Sequence, residues 1–94
     1  MLKIKDNVDL KKLKKFGYKQ GQDTCNISYS AYGKIFEIND TLIDIVEIDK
    51  NTKKIELLRS SKNSFRSFID CNEKQLKKYI DNLIKADLVE KVED

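Results

Sequence analysis

The chain of 94 residues contains no histidine, no tryptophan and only three glycines. Without histidine there is no Ser-His or Cys-His nucleophile pair and no imidazole base titrating near neutral pH. Paired carboxylates or a lysine of shifted pKa are then the remaining routes to acid–base chemistry. Gly17, Gly21 and Gly33 are too few and too scattered to cradle a phosphate, and no GxGxxG, GxxxxGK[ST] or GxSxG occurs. The two cysteines, Cys25 and Cys71, stand 46 positions apart with no CxxC. Two thiols without histidine do not assemble the four ligands of a zinc site, so both read as small, reduced, semi-buried hydrophobes. The sequence therefore predicts no metal, no cofactor and no turnover. No apolar run approaches the roughly 20 residues that cross a bilayer, and the start MLKIKDNVDL lacks the apolar block of a signal peptide. The expected location is the cytoplasm.

What is present suits one small α+β domain over residues 1–94. Charged residues make up 37% and hydrophobic ones 39%, and the apolar residues run the length of the chain, which argues against disorder. Charge alternates in blocks. Residues 1–34 carry eight lysines against three acids, 35–57 three lysines against six acids, 58–78 six bases against two acids, and 79–94 two lysines against five acids. Such blocks make separate positive and negative faces rather than a uniformly basic glove for nucleic acid. Arginine is confined to Arg59 and Arg66 while lysine, isoleucine and asparagine are abundant, a bias of AT-rich coding DNA that fills solvent positions with lysine.

The stretch DLKKLKKFGYK, residues 9–19, holds five lysines. Asp6 or Asn7 is placed to cap a helix over 8–16, with Leu10, Leu13 and Phe16 on its inner face and Lys11, Lys12 and Lys15 outside. Gly17 suits a left-handed end, after which Tyr18 packs back on Leu13. Each residue has a local structural job here, so the lysines read as a solvated face ahead of a nucleic-acid grip.

Alternation of Cys25, Ile27 and Tyr29 with polar residues predicts a first strand, with a turn at Gly33 and a second strand from Lys34. Asn39 and Asp40 signal a turn. TLIDIVEID, apolar on both faces, reads as a central strand, and DKNTKK as the hairpin turn into KIELLRS. Asp40, Asp44, Glu47 and Asp49 read as solvated acids near turns. Residues 60–70 fit either a helical turn or an extended segment. A helix over 72–86 follows from Asn72 and Gln75 as a capping box and from Leu76, Tyr79, Ile80, Leu83 and Ile84 on one face. Leu88, Val89 and Val92 suggest a closing strand at the sheet edge. The expected fold is thus an antiparallel sheet of four to five strands with the C-terminal helix packed on one face and a short N-terminal helix beside it.

IKDNVDLKKLKKFGYK and LIKADLVEKVED, residues 4–19 and 83–94, resemble the two ends of small proteins encoded by phages and prophages of low-GC Gram-positive bacteria. The resemblance implies an accessory protein of a mobile element, acting in the cytoplasm of the bacterial host by binding a host protein or nucleoprotein complex. Some such proteins inhibit CRISPR or other defence complexes stoichiometrically, without an active site. Interface anchors are usually aromatic or arginine side chains in a charged rim. That makes Tyr18, Tyr29, Tyr32, Arg59, Phe65 and Arg66 candidate contacts, with Lys11, Lys12 and Lys15. Two alternatives remain. One is a nucleic-acid-binding protein in which Lys11, Lys12, Lys15 and Lys19 join Lys74, Lys77 and Lys78, with the tyrosines as stacking platforms. The other is a homodimeric assembly factor pairing through an exposed strand edge.

Overall fold

The computed structural model describes residues 1–21, 27–61, 66–68 and 73–92. Its elements are strand β1 (Leu2–Ile4), a 3-10 helix (Leu10–Phe16), β2 (Lys19–Gln20), β3 (Ala31–Glu37), β4 (Leu42–Asp49), β5 (Ile55–Ser61), β6 (Arg66–Phe68), α1 (Glu73–Tyr79), α2 (Asp81–Lys85) and β7 (Val89–Lys91). The class is α+β. β2 to β6 form an antiparallel sheet in sequence order, and β1 pairs with β7 in a separate two-stranded sheet. No helix among the described residues is long and apolar enough to cross a membrane.

The central hairpins form where polar side chains close their turns. At the β3–β4 turn, Asn39 Oδ1 accepts from Thr41 N at 2.8 Å and Leu42 N at 2.9 Å. At the β4–β5 turn, Asp49 Oδ1 accepts from Asn51 N at 2.7 Å and Thr52 N at 2.9 Å. Short acceptors of this kind replace the backbone partners a tight turn loses. Between these turns β4 is buried from Ile43 to Ile48, as its doubly apolar pattern requires.

The two faces of the sheet have separate cores. Tyr32, Val46, Ile48, Ile55 and Leu57 share one cluster with Leu2, Ile4, Leu13, Tyr18, Leu76, Ile80 and Leu83. On the other face Ala31, Ile43, Ile45 and Leu58 gather with Ile27.

Several expectations are corrected. The first strand of the five-stranded sheet is Lys19–Gln20, and the described part of 25–30 forms no strand: Ile27 sits in a bend and Tyr29 and Ser30 form a turn, while residues 25 and 26 lie outside the described residues. The turn closes through Ala31 N, which donates to Ser28 O at 3.0 Å. Gly33 is no turn but an interior residue of β3, where a Cβ would come within 2.8 to 2.9 Å of three Ile27 side-chain atoms. Glycine here allows close approach. The N-terminal helix is a 3-10 helix whose cap is Asp9, its carboxylate accepting from Lys11 N at 3.0 Å. Leu10, Leu13 and Phe16 repeat every three residues, the period at which side chains eclipse in a 3-10 helix. It ends as expected at Gly17, φ 90°, with Tyr18 N donating to Leu13 O at 3.2 Å.

Nor does β7 extend the main sheet. Leu2 and Ile4 point inward around Lys3, so the chain start is itself a strand, and it takes β7 as its partner. The 72–86 helix comes in two parts because Ile80 leaves helical geometry at φ −106° and ψ 19°; Asn72 lies outside the described residues. Of residues 60–70, Ser60 and Ser61 end β5 and 66–68 pair with it as β6, so the described part is extended.

Candidate functional site

The β3–β4–β5 register sets Phe36, Asp44 and Arg59 side by side, since Phe36 stands opposite Asp44 and Asp44 opposite Arg59. Asp44 is fully buried. Its Oδ1 accepts from Arg59 Nε at 2.9 Å and its Oδ2 from the Tyr79 hydroxyl at 2.6 Å, with Arg59 Nη2 at 3.4 Å. The Tyr79 ring rests on Phe36, centroids 4.5 Å apart and tilted by 43°. Burial, and then the bond to Asp44, push the Tyr79 phenol up to about 12. The hydrogen bond from Arg59 to Asp44 raises the guanidinium pKa further. A buried carboxylate survives when donors of this kind replace its water. Here donors reach both oxygens of a buried carboxylate, so Asp44 serves as an anchor between sheet and helix.

This overturns the reading of Asp44 as a solvated acid. Glu47 is also buried, accepting from Ser28 N at 2.8 Å and so holding the turn before β3. Asp40 and Asp49 stay at turns, and two backbone N–H bonds, from Thr52 and then Asn51, lower the Asp49 pKa. Among the described residues no group of three or more acids or cysteines is placed to hold a metal ion.

The candidate contact residues do not come together. Tyr18 and Tyr32 are 2% and 6% exposed, which withdraws both as contacts or stacking platforms: each ring is core. Burial raises the Tyr18 phenol pKa, and its hydroxyl has no partner among the described residues. Arg59 is committed to Asp44. Phe65 lies outside the described residues, and Arg66 is placed only as a backbone position in β6. Tyr29 stands out at 76% exposed, at a turn where Lys50 Nζ donates to its carbonyl at 3.3 Å.

Lys11, Lys12 and Lys15 are exposed, as are Lys14 and Lys19. In a 3-10 helix Lys11 aligns with Lys14 and Lys12 with Lys15, two rows with a repeat of about 6 Å along the axis. Other lysines are matched: Lys3 to Asp6 at 2.7 Å, Lys5 to Asp87 at 2.7 Å and Lys85 to Asp81 at 2.9 Å. No acid pairs with the five between residues 11 and 19 among the described residues.

Sequence reasoning missed Lys34, whose Nζ donates to Phe16 O at 3.0 Å and lies 5.3 Å from the Phe36 ring and 5.9 Å from Tyr18. It also missed Lys53, whose Nζ donates to Asp6 O at 2.8 Å and Val8 O at 2.7 Å, tying the chain start to the β4–β5 hairpin. A charge inside an apolar run, such as Asp44 in LIDIVEID, was the available signal for the buried pair. No family model, curated protein or solved structure matches the chain.

Proposed function

We propose that this is a non-catalytic binding protein of a phage or prophage, which docks on a host protein or nucleoprotein complex in the cytoplasm and inhibits it at one-to-one stoichiometry. The docking surface is the lysine face of the 3-10 helix, Lys11, Lys12, Lys14 and Lys15. The observation that supports this reading is the contrast in pairing: among the described residues these lysines form no ion pair with an acid, while Lys3, Lys5 and Lys85 do. Unmatched like charges on one short helix cost stability unless a partner supplies the opposite sign. In this arrangement α1 and α2 lie across the sheet face that carries Val46 and Ile48. The lysines stay outermost.

An acidic protein surface is favoured over free nucleic acid because two of the three candidate stacking rings, Tyr18 and Tyr32, are core residues, and base stacking needs an open ring face. The test is a titration of purified target complex. Activity falls linearly to zero near an equimolar ratio, and the two co-elute on a sizing column. Inhibition at strongly substoichiometric amounts would instead mean catalysis by this chain.

A further inference from the structure

β3 is seven residues long, yet β2 covers only two of them, with Lys19 opposite Gly33 and Gln20 opposite Tyr32. Hydrogen bonding in an antiparallel pair alternates along the strand. Ile38 N donates to Leu42 O at 3.0 Å and Lys50 N to Ser30 O at 2.9 Å, both in the β3–β4 register. Tyr32, Lys34 and Phe36 therefore turn their backbone groups to β4, and Ala31, Gly33 and Ile35 turn theirs to the outer edge. Ser28 O takes Ala31 N, and Lys19 stands against Gly33. The N–H and C=O of Ile35 have no partner among the described residues.

Beside Ile35 lies a notch of about 180 Å³, lined by Gly17, Lys19, Ile27, Gly33, Lys34 and Ile35. Two aliphatic side chains and two lysines form its walls, with no acid among the described lining residues. Ile35 is 37% exposed. Lys19 is exposed as well and has no ion pair among the described residues. Cross-strand neighbours share a face of the sheet, so Lys19 lies on the face of Gly33 and Ile35, the one on which Ile27 packs.

We propose that this notch captures the free carboxyl terminus of a partner peptide ending in an aliphatic residue. The last residue lies antiparallel to β3 opposite Ile35, its N–H donating to Ile35 O and a carboxylate oxygen accepting from Ile35 N. Its side chain stands beside those of Ile35 and Ile27, and its carboxylate points along the edge to the Lys19 ammonium. The edge itself selects a terminus. Two positions further on, Lys19 already fills the place opposite Gly33, so a chain running this way has to end. A chain running the other way would bring its amino terminus to Lys19, like charge against like. Glu37 has a contact within its own chain, so pairing is confined to Ile35 and the peptide's earlier residues leave the edge. The notch is also smaller than the about 300–1,000 Å³ of ordinary small-molecule sites, which suits one side chain. The site is separate from Lys11, Lys12, Lys14 and Lys15 and does not depend on their docking a partner.

The probes are synthetic hexapeptides of alanine and serine ending in leucine, one with a free carboxylate and one amidated, titrated into the isotope-labelled chain and followed by amide NMR shifts. The free acid should shift the Ile35 amide saturably by millimolar concentration. The amidated peptide should bind about three- to tenfold more weakly, and on Lys19→Glu the preference for the acid should vanish. Ile35→Pro removes the N–H that meets the carboxylate and should abolish binding; that N–H takes no part in the β3–β4 ladder. If this variant fails to fold, Lys19→Glu decides. Lys11→Glu with Lys15→Glu should leave the preference for the acid intact. Equal binding of the two peptides, a preference that survives Lys19→Glu, shifts confined to the 3-10 helix, or no shift at millimolar peptide would each overturn the proposal.

Discussion

At the residue scale the Asp44 anchor decides most. Asp44→Ala strands the Tyr79 hydroxyl and should cost about 1–3 kcal/mol in chemical denaturation; no loss would mean that the cluster holds nothing together. The Tyr79 phenol gives a pH signature. Its folded pKa, about 12, lies above the ordinary phenol value of about 10, so the fold binds the phenolic proton more tightly than the unfolded chain does. That contribution is whole below about pH 10 and is lost as pH rises towards 12. Thermal melts across this window should fall, with Tyr79→Phe falling less steeply; identical slopes would place the alkaline loss elsewhere.

At the element scale, Gly33→Ala drives a methyl into the Ile27 side chain and should cost about 1–3 kcal/mol; in an Ile27→Ala background, which carries its own core-truncation cost, that Gly33→Ala penalty should largely vanish. An additive double mutant would refute the contact. Leu76→Ala empties a position 1% exposed and should cost about 2–5 kcal/mol; a loss under half a kcal/mol would place the wrong face of α1 inward. The elements legible in the sequence were those with redundant signals. β4 and β5 combine long apolar runs with Asx turns at Asn39 and Asp49, and the 3-10 helix combines its three-residue repeat with Gly17. Single signals misled. Glycine marks turns and close approaches alike, so from sequence Gly33 reads as a turn, and three alternating residues around Ile27 read as a strand. The two residues of β2 and three of β1 are too short for periodicity to register. Asp44 was misread for a different reason: Arg59 and Tyr79 reach it through register and tertiary packing, which local spacing does not contain.

At the scale of the whole molecule, the acids among the described residues are mostly spent inside the fold, at caps and turns, or on neighbouring lysines, while the 3-10 helix presents its lysines outward. Under the proposed function, partner binding falls on Lys11, Lys12, Lys14 and Lys15, and stability rests on other residues. Salt separates two kinds of partner: phosphate contacts on duplex DNA make log K fall with log salt by about 0.9 per contact, so binding that persists near molar salt excludes that mode. The most direct measurement compares the native chain with the Lys11→Glu, Lys12→Glu, Lys15→Glu variant in affinity capture from nuclease-treated host lysate, both first shown to melt at the same temperature. If the lysine face is the docking surface, a stoichiometric protein partner is retained by the native chain and lost by the variant. Retention by both, or release of the partner by nuclease alone, would contradict it.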